Sequence, residues 1–116
     1  MNDFKYERVA PINREQARRA LERADPEVVA SALYAAARSD EGTQWLEEEC
    51  LKRLAFPELR IRWAAATCLG DLAFFRRPLD VNKVIPALEA AAEDPTISEA
   101  ARFSLSMVRQ FSVSEE

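Results

Sequence analysis

Histidine is missing from this chain altogether. With it go the commonest general base and the commonest metal ligand of proteins. Cysteine is scarce: Cys50 and Cys68 are the only two in 116 residues. Two are too few for a disulfide framework, and no supporting ligands stand at zinc-site spacing around them. Both occupy apolar positions of helical patterns, so they read as buried free thiols in a reducing compartment. Glycine is as scarce. Gly42 and Gly70 stand alone, and two isolated glycines cannot build a phosphate-binding loop. No run approaches the roughly 18 apolar residues of a membrane helix. The start, Met1 to Glu7, lacks the apolar core of a signal peptide. These absences together predict a non-enzymatic, cytoplasmic chain with no cofactor, no metal and no membrane contact.

What is present favours helices. Hydrophobic residues make up 48% and charged residues 31%, ordinary values for one soluble domain. The chain is rich in Ala, Leu, Glu and Arg, all good helix formers. Net charge is −4. Nucleic-acid binders carry the opposite excess, so direct nucleic-acid binding is not expected and a basic partner is.

One phrase recurs three times: Asp25-Pro26-Glu27-Val28, Phe56-Pro57-Glu58-Leu59-Arg60-Ile61 and Asp94-Pro95-Thr96-Ile97. Anchored on Val28, Ile61 and Ile97, the copies lie 33 and 36 residues apart. An alanine-rich amphipathic run follows each. That period is typical of helical-pair repeats, which stack because one pair cannot bury its own apolar face. The reading is an all-α chain, a short α-solenoid of three helical hairpins with about six helices. An arm covers residues 1–12, the repeat domain 13–111 and a tail 112–116.

The helical stripes follow from the 3.6-residue period. The first helix runs from about Asn13 to Ala24, with Ala17, Ala20, Leu21 and Ala24 inward and arginines outward. Asp25-Pro26 caps and opens the second, with Val28, Ala32, Ala35 and Ala36 inward. The third, from Thr43 to Ala55, buries Leu46, Cys50, Leu51 and Leu54. Pro57 opens the fourth, which reaches Phe75 and buries Ile61, Ala65, Cys68, Leu69 and Leu72. One of Phe74 and Phe75 is expected to close the core. Asp80 caps the fifth, with Val84, Ile85, Leu88 and Ala91 inward and Pro86 awkwardly inside it. Asp94-Pro95 starts the sixth, with Ile97, Ala101, Leu105 and Val108 inward.

The segment Ile61-Arg62-Trp63-Ala64-Ala65-Ala66-Thr67-Cys68-Leu69-Gly70-Asp71-Leu72 resembles the second helix of a HEAT repeat. There a β-branched residue and an arginine precede paired alanines and Leu-Gly. The flanking copies depart from this, with Val29 and Ser98 at the arginine position. Trp45-Leu46 with Cys50-Leu51, Val84-Ile85-Pro86-Ala87-Leu88 and Asp94-Pro95-Thr96-Ile97 extend the likeness to small bacterial HEAT-like proteins. Many of these resemble immunity proteins encoded beside secreted polymorphic or contact-dependent toxins. The resemblance implies a protein that blocks a cognate toxin by binding it. A scaffold or adaptor subunit is the alternative. HEAT-like DNA glycosylases and lyases are a further comparison, through Trp63 and Asp71, but this chain is short for them and its charge has the wrong sign.

Two candidate surfaces follow. On the fourth helix, Trp63, Thr67 and Asp71 lie off the core stripe. Side-by-side stacking would align Tyr34, Trp63 and Phe103, and large aromatics are favoured binding anchors. The second surface is the acidic run Asp40, Glu41, Glu47, Glu48 and Glu49 around Trp45. It could mimic nucleic-acid phosphates and occlude a nuclease toxin. The partner-binding candidates are therefore Tyr34, Asp40, Glu41, Trp45, Glu48, Trp63 and Asp71. The free chain is expected to be a monomer or a weak homodimer.

Overall fold

The computed structural model describes residues 14–23, 25–38 and 43–112. Among them are six α-helices and no strand. They are α1 (Arg14–Leu21), α2 (Pro26–Ala37), α3 (Thr43–Arg53), α4 (Leu59–Phe74), α5 (Val81–Ala91) and α6 (Ser98–Phe111). Helices α1, α3 and α5 are the A helices of three hairpins; α2, α4 and α6 are the B helices. Each A helix packs on the B helix that follows it. The B helices stack side by side, α2 on α4 and α4 on α6, in a body of 44 × 29 × 27 Å. The expected all-α stack of hairpins is what the chain forms. The arm over residues 1–12, and all but Ser112 of the tail, lie outside the described residues.

Local chemistry explains most boundaries. The Asp25 carboxylate accepts the Glu27 N–H at 2.9 Å, and Pro26 takes the first helical position, where no N–H is needed. Asp80 caps α5 in the same way through the Asn82 N–H at 3.2 Å. Asp94 behaves differently. Its carboxylate takes the Thr96 N–H at 3.0 Å and the Thr96 hydroxyl at 2.6 Å. It therefore shapes a turn over residues 95–97, and α6 begins only at Ser98. Helix α5 continues through Pro86, which is exposed.

The end of α4 departs most from expectation. Both phenylalanines are exposed, Phe74 by 56% and Phe75 by 38%; neither closes the core. The chain turns out of the helix at Arg76 with φ of 62°. Arg76 N–H bonds the Ala73 carbonyl and Arg77 N–H the Leu72 carbonyl, each at 2.9 Å. This is the paired-bond helix stop that normally uses glycine at its left-handed residue. With a side chain there, the backbone costs about 1–2 kcal/mol more.

Helix α4 is the centre of the core. Ala64, Ala65, Ala66, Cys68, Leu69, Leu72 and Ala73 are all fully buried. Alanine lets α2 and α6 approach closely from both sides. On the α6 side the approach is closest at Gly70. A Cβ there would lie 2.8 Å from Ser104 Cβ and 2.9 Å from Ser104 Cα. The buried Ser104 hydroxyl donates to the Ala66 carbonyl at 2.7 Å. On the α2 side the Cys68 thiol donates to the Leu33 carbonyl at 3.5 Å. In α2 itself, Val28 is only half-buried whereas Val29, Ala30, Leu33 and Ala37 are buried. The helix meets α1, α3 and α4 at once, so its buried arc is wider than one stripe. In α5, Ile85 is likewise only half-buried.

Gly70→Ala tests the close approach. The neighbours include Ser104 Cβ and the backbone Cα, which a side-chain rotation cannot move away, so α6 must shift, and overpacking of this kind costs about 1–3 kcal/mol. Urea denaturation should show a lower midpoint, against the gain that alanine normally brings inside a helix.

Candidate functional site

The B helices present one strip of half-buried side chains between the contacts with α2 and α6. On α4 it consists of Trp63, Thr67 and Asp71, spaced by one helical turn. Tyr34 of α2 leans into it beside Thr67. Burial pushes the Tyr34 phenol above its usual range. The Asp71 charge adds to the rise, while Arg60 and Thr67 oppose it. Tyr34, Thr67 and Asp71 thus form one cluster across α2 and α4.

Asp71 is the unusual member. No hydrogen bond or salt bridge reaches its carboxylate among the described residues. Burial raises its proton affinity above the ordinary aspartate range, and Arg38 offsets this only in part. A half-buried carboxylate without a partner destabilises the fold at neutral pH. Such groups are candidates for function.

Trp63 sits one turn nearer the start of α4. It lines a cavity of about 430 Å³ with Glu58, Leu59 and Arg60. Leu59 is 48% exposed there. Arg60 is held by Glu27 through two N–O contacts of 3.0 and 3.1 Å, which ties the second hairpin to the first. Phe103 of α6 is 61% exposed. The aromatic ring contacts found run elsewhere, along Phe74, Phe75 and Phe111. A hollow of about 640 Å³ between α5 and α6 is lined by Glu89, Glu93, Arg102 and Arg109 among others. It includes none of the sequence-derived candidates.

The acidic run is divided by the fold. Asp40 and Glu41 lie outside the described residues. Glu47, expected on a charged surface, is only 3% exposed. Its Oε1 accepts the Asp80 N–H at 2.8 Å, which fixes the loop that enters α5. Burial pushes its carboxyl above the usual range. Glu49 is paired with Arg53 and, at 3.5 Å, with Lys52. Of the described members only Glu48 is exposed without an ion pair. Trp45 is half-buried under Arg14, whose guanidinium lies 5.4 Å from the ring centre.

Two further side chains act between hairpins, and a third braces the ends of the second hairpin. Arg53, 6% exposed, donates to the Leu21 carbonyl at 3.2 Å and so closes the end of α1. Arg62 donates to the Phe56 and Pro57 carbonyls at 3.0 and 2.9 Å and to the Thr96 hydroxyl at 2.9 Å. Arg77 donates to the Thr43 hydroxyl at 2.9 Å. The arginine face of α1 is matched within its own helix. Arg18 meets Glu15 at 2.7 Å and Glu22 at 3.2 Å, and Arg19 meets Glu15 at 3.3 Å.

Cys50 and Cys68 are free, fully buried and adjacent. Contact with Cys50 and burial raise the Cys68 thiol well above its ordinary range, so Cys68 stays protonated and unreactive. Among the described residues no group of three His, Cys, Asp or Glu side chains is placed to hold a metal. No helix described is long and apolar enough to cross a membrane. In comparison with known proteins, no family model matches the chain, and neither a curated protein nor a solved structure matches it.

Two substitutions separate the roles of these acids. Glu47→Ala leaves the Asp80 N–H without its acceptor and should cost about 1–3 kcal/mol, whereas Glu47→Gln keeps an acceptor and should cost less than about 1 kcal/mol. Asp71→Asn should raise the melting temperature at pH 7. The sign follows from a raised folded-state pKa. The native state resists ionisation, so wild-type stability is highest below the ordinary aspartate pKa and falls as pH rises through the folded value. The gain from Asn should therefore vanish in acid, which melts at pH 7 and near pH 3 would check.

Proposed function

We propose that this chain is a protein-binding module and that it neutralises a cognate secreted toxin by occlusion. The observation that supports it most is the unpartnered Asp71 carboxylate beside Tyr34 and Trp63. The fold keeps an acid there at a cost in stability, and a cationic side chain of a partner would complete it. Tyr34 and Trp63 would supply the apolar area, since large aromatics lose few rotors on binding.

The resemblance of residues 61–72 to a HEAT repeat, and of the chain to small bacterial immunity proteins, supports the toxin reading. A nuclease is the toxin class that suits it best. Its active site is basic, and the carboxylates of Asp71, Glu48, Asp40 and Glu41 would stand in for phosphates, with Trp45 adding apolar area. The binding would take place in the producing cell's cytoplasm, without cofactor, metal or direct contact with nucleic acid.

Co-expression with the neighbouring toxin reading frame tests this. The two products should form a one-to-one complex, and cells should survive. Trp63→Ala and Asp71→Asn should each weaken the complex by about tenfold or more. Cells that die despite soluble chain, or products that do not associate, would dismiss the immunity role. A complex with a harmless neighbour would favour a scaffold or adaptor instead.

A further inference from the structure

The inter-hairpin edge, where the B helices end, carries a second surface that shares no residue with the Tyr34, Trp63 and Asp71 strip. Phe74 and Phe75 meet edge to face with ring centres 5.6 Å apart, and Phe74 meets Phe111 likewise at 5.9 Å. Two arginines flank the rings. Arg76 lies 4.5 Å from the centre of Phe111, and Arg38 lies 6.0 Å from that of Phe75. All three hairpins contribute, because Arg38 ends α2, Phe74 to Arg76 end α4 and Phe111 ends α6.

Nothing in the fold requires this arrangement. Phe74 exposes more than half its surface. Arg76 stands at a left-handed position where glycine would be easier, yet an arginine there covers Phe111. Arg76 forms no salt bridge among the described residues, and Arg38, which forms none either, donates to the Tyr34 carbonyl at 3.3 Å and partly offsets Asp71. A guanidinium stacked on a ring face still offers its N–H edge, in the plane that suits a carboxylate.

We propose that this edge docks an acidic amphipathic segment of another protein. The segment's apolar side chains would cover Phe74 and Phe75, and its carboxylates would meet Arg38 and Arg76. Charge complementarity selects this occupant. A second copy on a two-fold axis would set the same arginines against each other. Nucleic acid would meet a chain of net charge −4 with few free arginines here.

A synthetic helical peptide with Leu and Phe on one face and Glu on the other provides the probe. The same peptide with Gln for Glu is its control. The acidic peptide should bind about tenfold tighter than the control, and salt should shrink the difference. Amide shifts should cluster at residues 38, 74–76 and 111. Arg76→Glu should abolish the preference, and Phe74→Ser should weaken both peptides. Arg76→Gly separates binding from folding: it should melt higher than wild type yet lose the preference. Equal affinity for both peptides, shifts on another face, or an Arg76→Gly chain that binds as wild type would overturn the proposal. So would a native dimer that Phe74→Ser converts to monomer, since it would assign the edge to a second copy. None of these results touches the Asp71 reading, whose own test is the complex with the neighbouring product.

Discussion

Helix α4 is squeezed from two sides, and the rest of the structure follows from how closely its neighbours approach. Gly70 leaves no room for a Cβ against Ser104. Ala66 and Cys68 bring their own hydrogen bonds to α6 and α2. Small residues make this possible, and dispersion between tightly packed backbones rewards it. A helix buried on so many sides has little freedom in where it shows side chains to solvent. What remains on α4 between its contacts with α2 and α6 is the narrow strip of Trp63, Thr67 and Asp71.

The hairpins are joined by polar locks as well as by core. Arg53 reaches back to close α1, Arg62 reaches forward to the turn before α6, and Glu47 holds the entry to α5. Each lock joins one hairpin to a backbone or turn group of the next. Buried polar groups of this kind add little net stability, but an error in stacking register would leave them unsatisfied. Apolar stripes of alanine alone would slide more easily. The locks supply the directionality that small side chains lack.

The periodicity of alanine and the Asp-Pro punctuation made the fold legible. Both report local physics: capping, the fixed φ of proline and one apolar face per helix. Ile61, Cys68, Leu72, Ile97 and Val108 fell where the 3.6-residue period put them. Val28 did not, because α2 has three neighbours and buries an arc that no single stripe describes, and Ile85 lies on α5, which packs mainly on α6. Glu47 was illegible for a different reason. Within a run of acids it looks like a solvated residue, and only the approach of the α5 loop turns it into a buried acceptor. The same holds for Arg53 and Arg62, whose partners lie in other hairpins. Phe74 and Phe75 misled in the opposite direction. Two adjacent phenylalanines at a helix end suggest a core cap, but the left-handed stop at Arg76 turns the chain away and leaves both rings outside.

Charge bookkeeping decides where to look for partners. Several charged side chains among the described residues are matched nearby: Glu15 with Arg18, Glu27 with Arg60, Glu49 with Arg53, and Glu89 with Arg109. Two of the groups without an ion pair are the Asp71 carboxylate on the B face, which Arg38 offsets only in part, and Arg76 over the ring of Phe111. Each is placed beside aromatic area and each raises the free energy of the isolated chain. A protein that merely needed to fold would gain by exchanging Asp71 for an amide and Arg76 for glycine. The proposed partners would bring the missing charges.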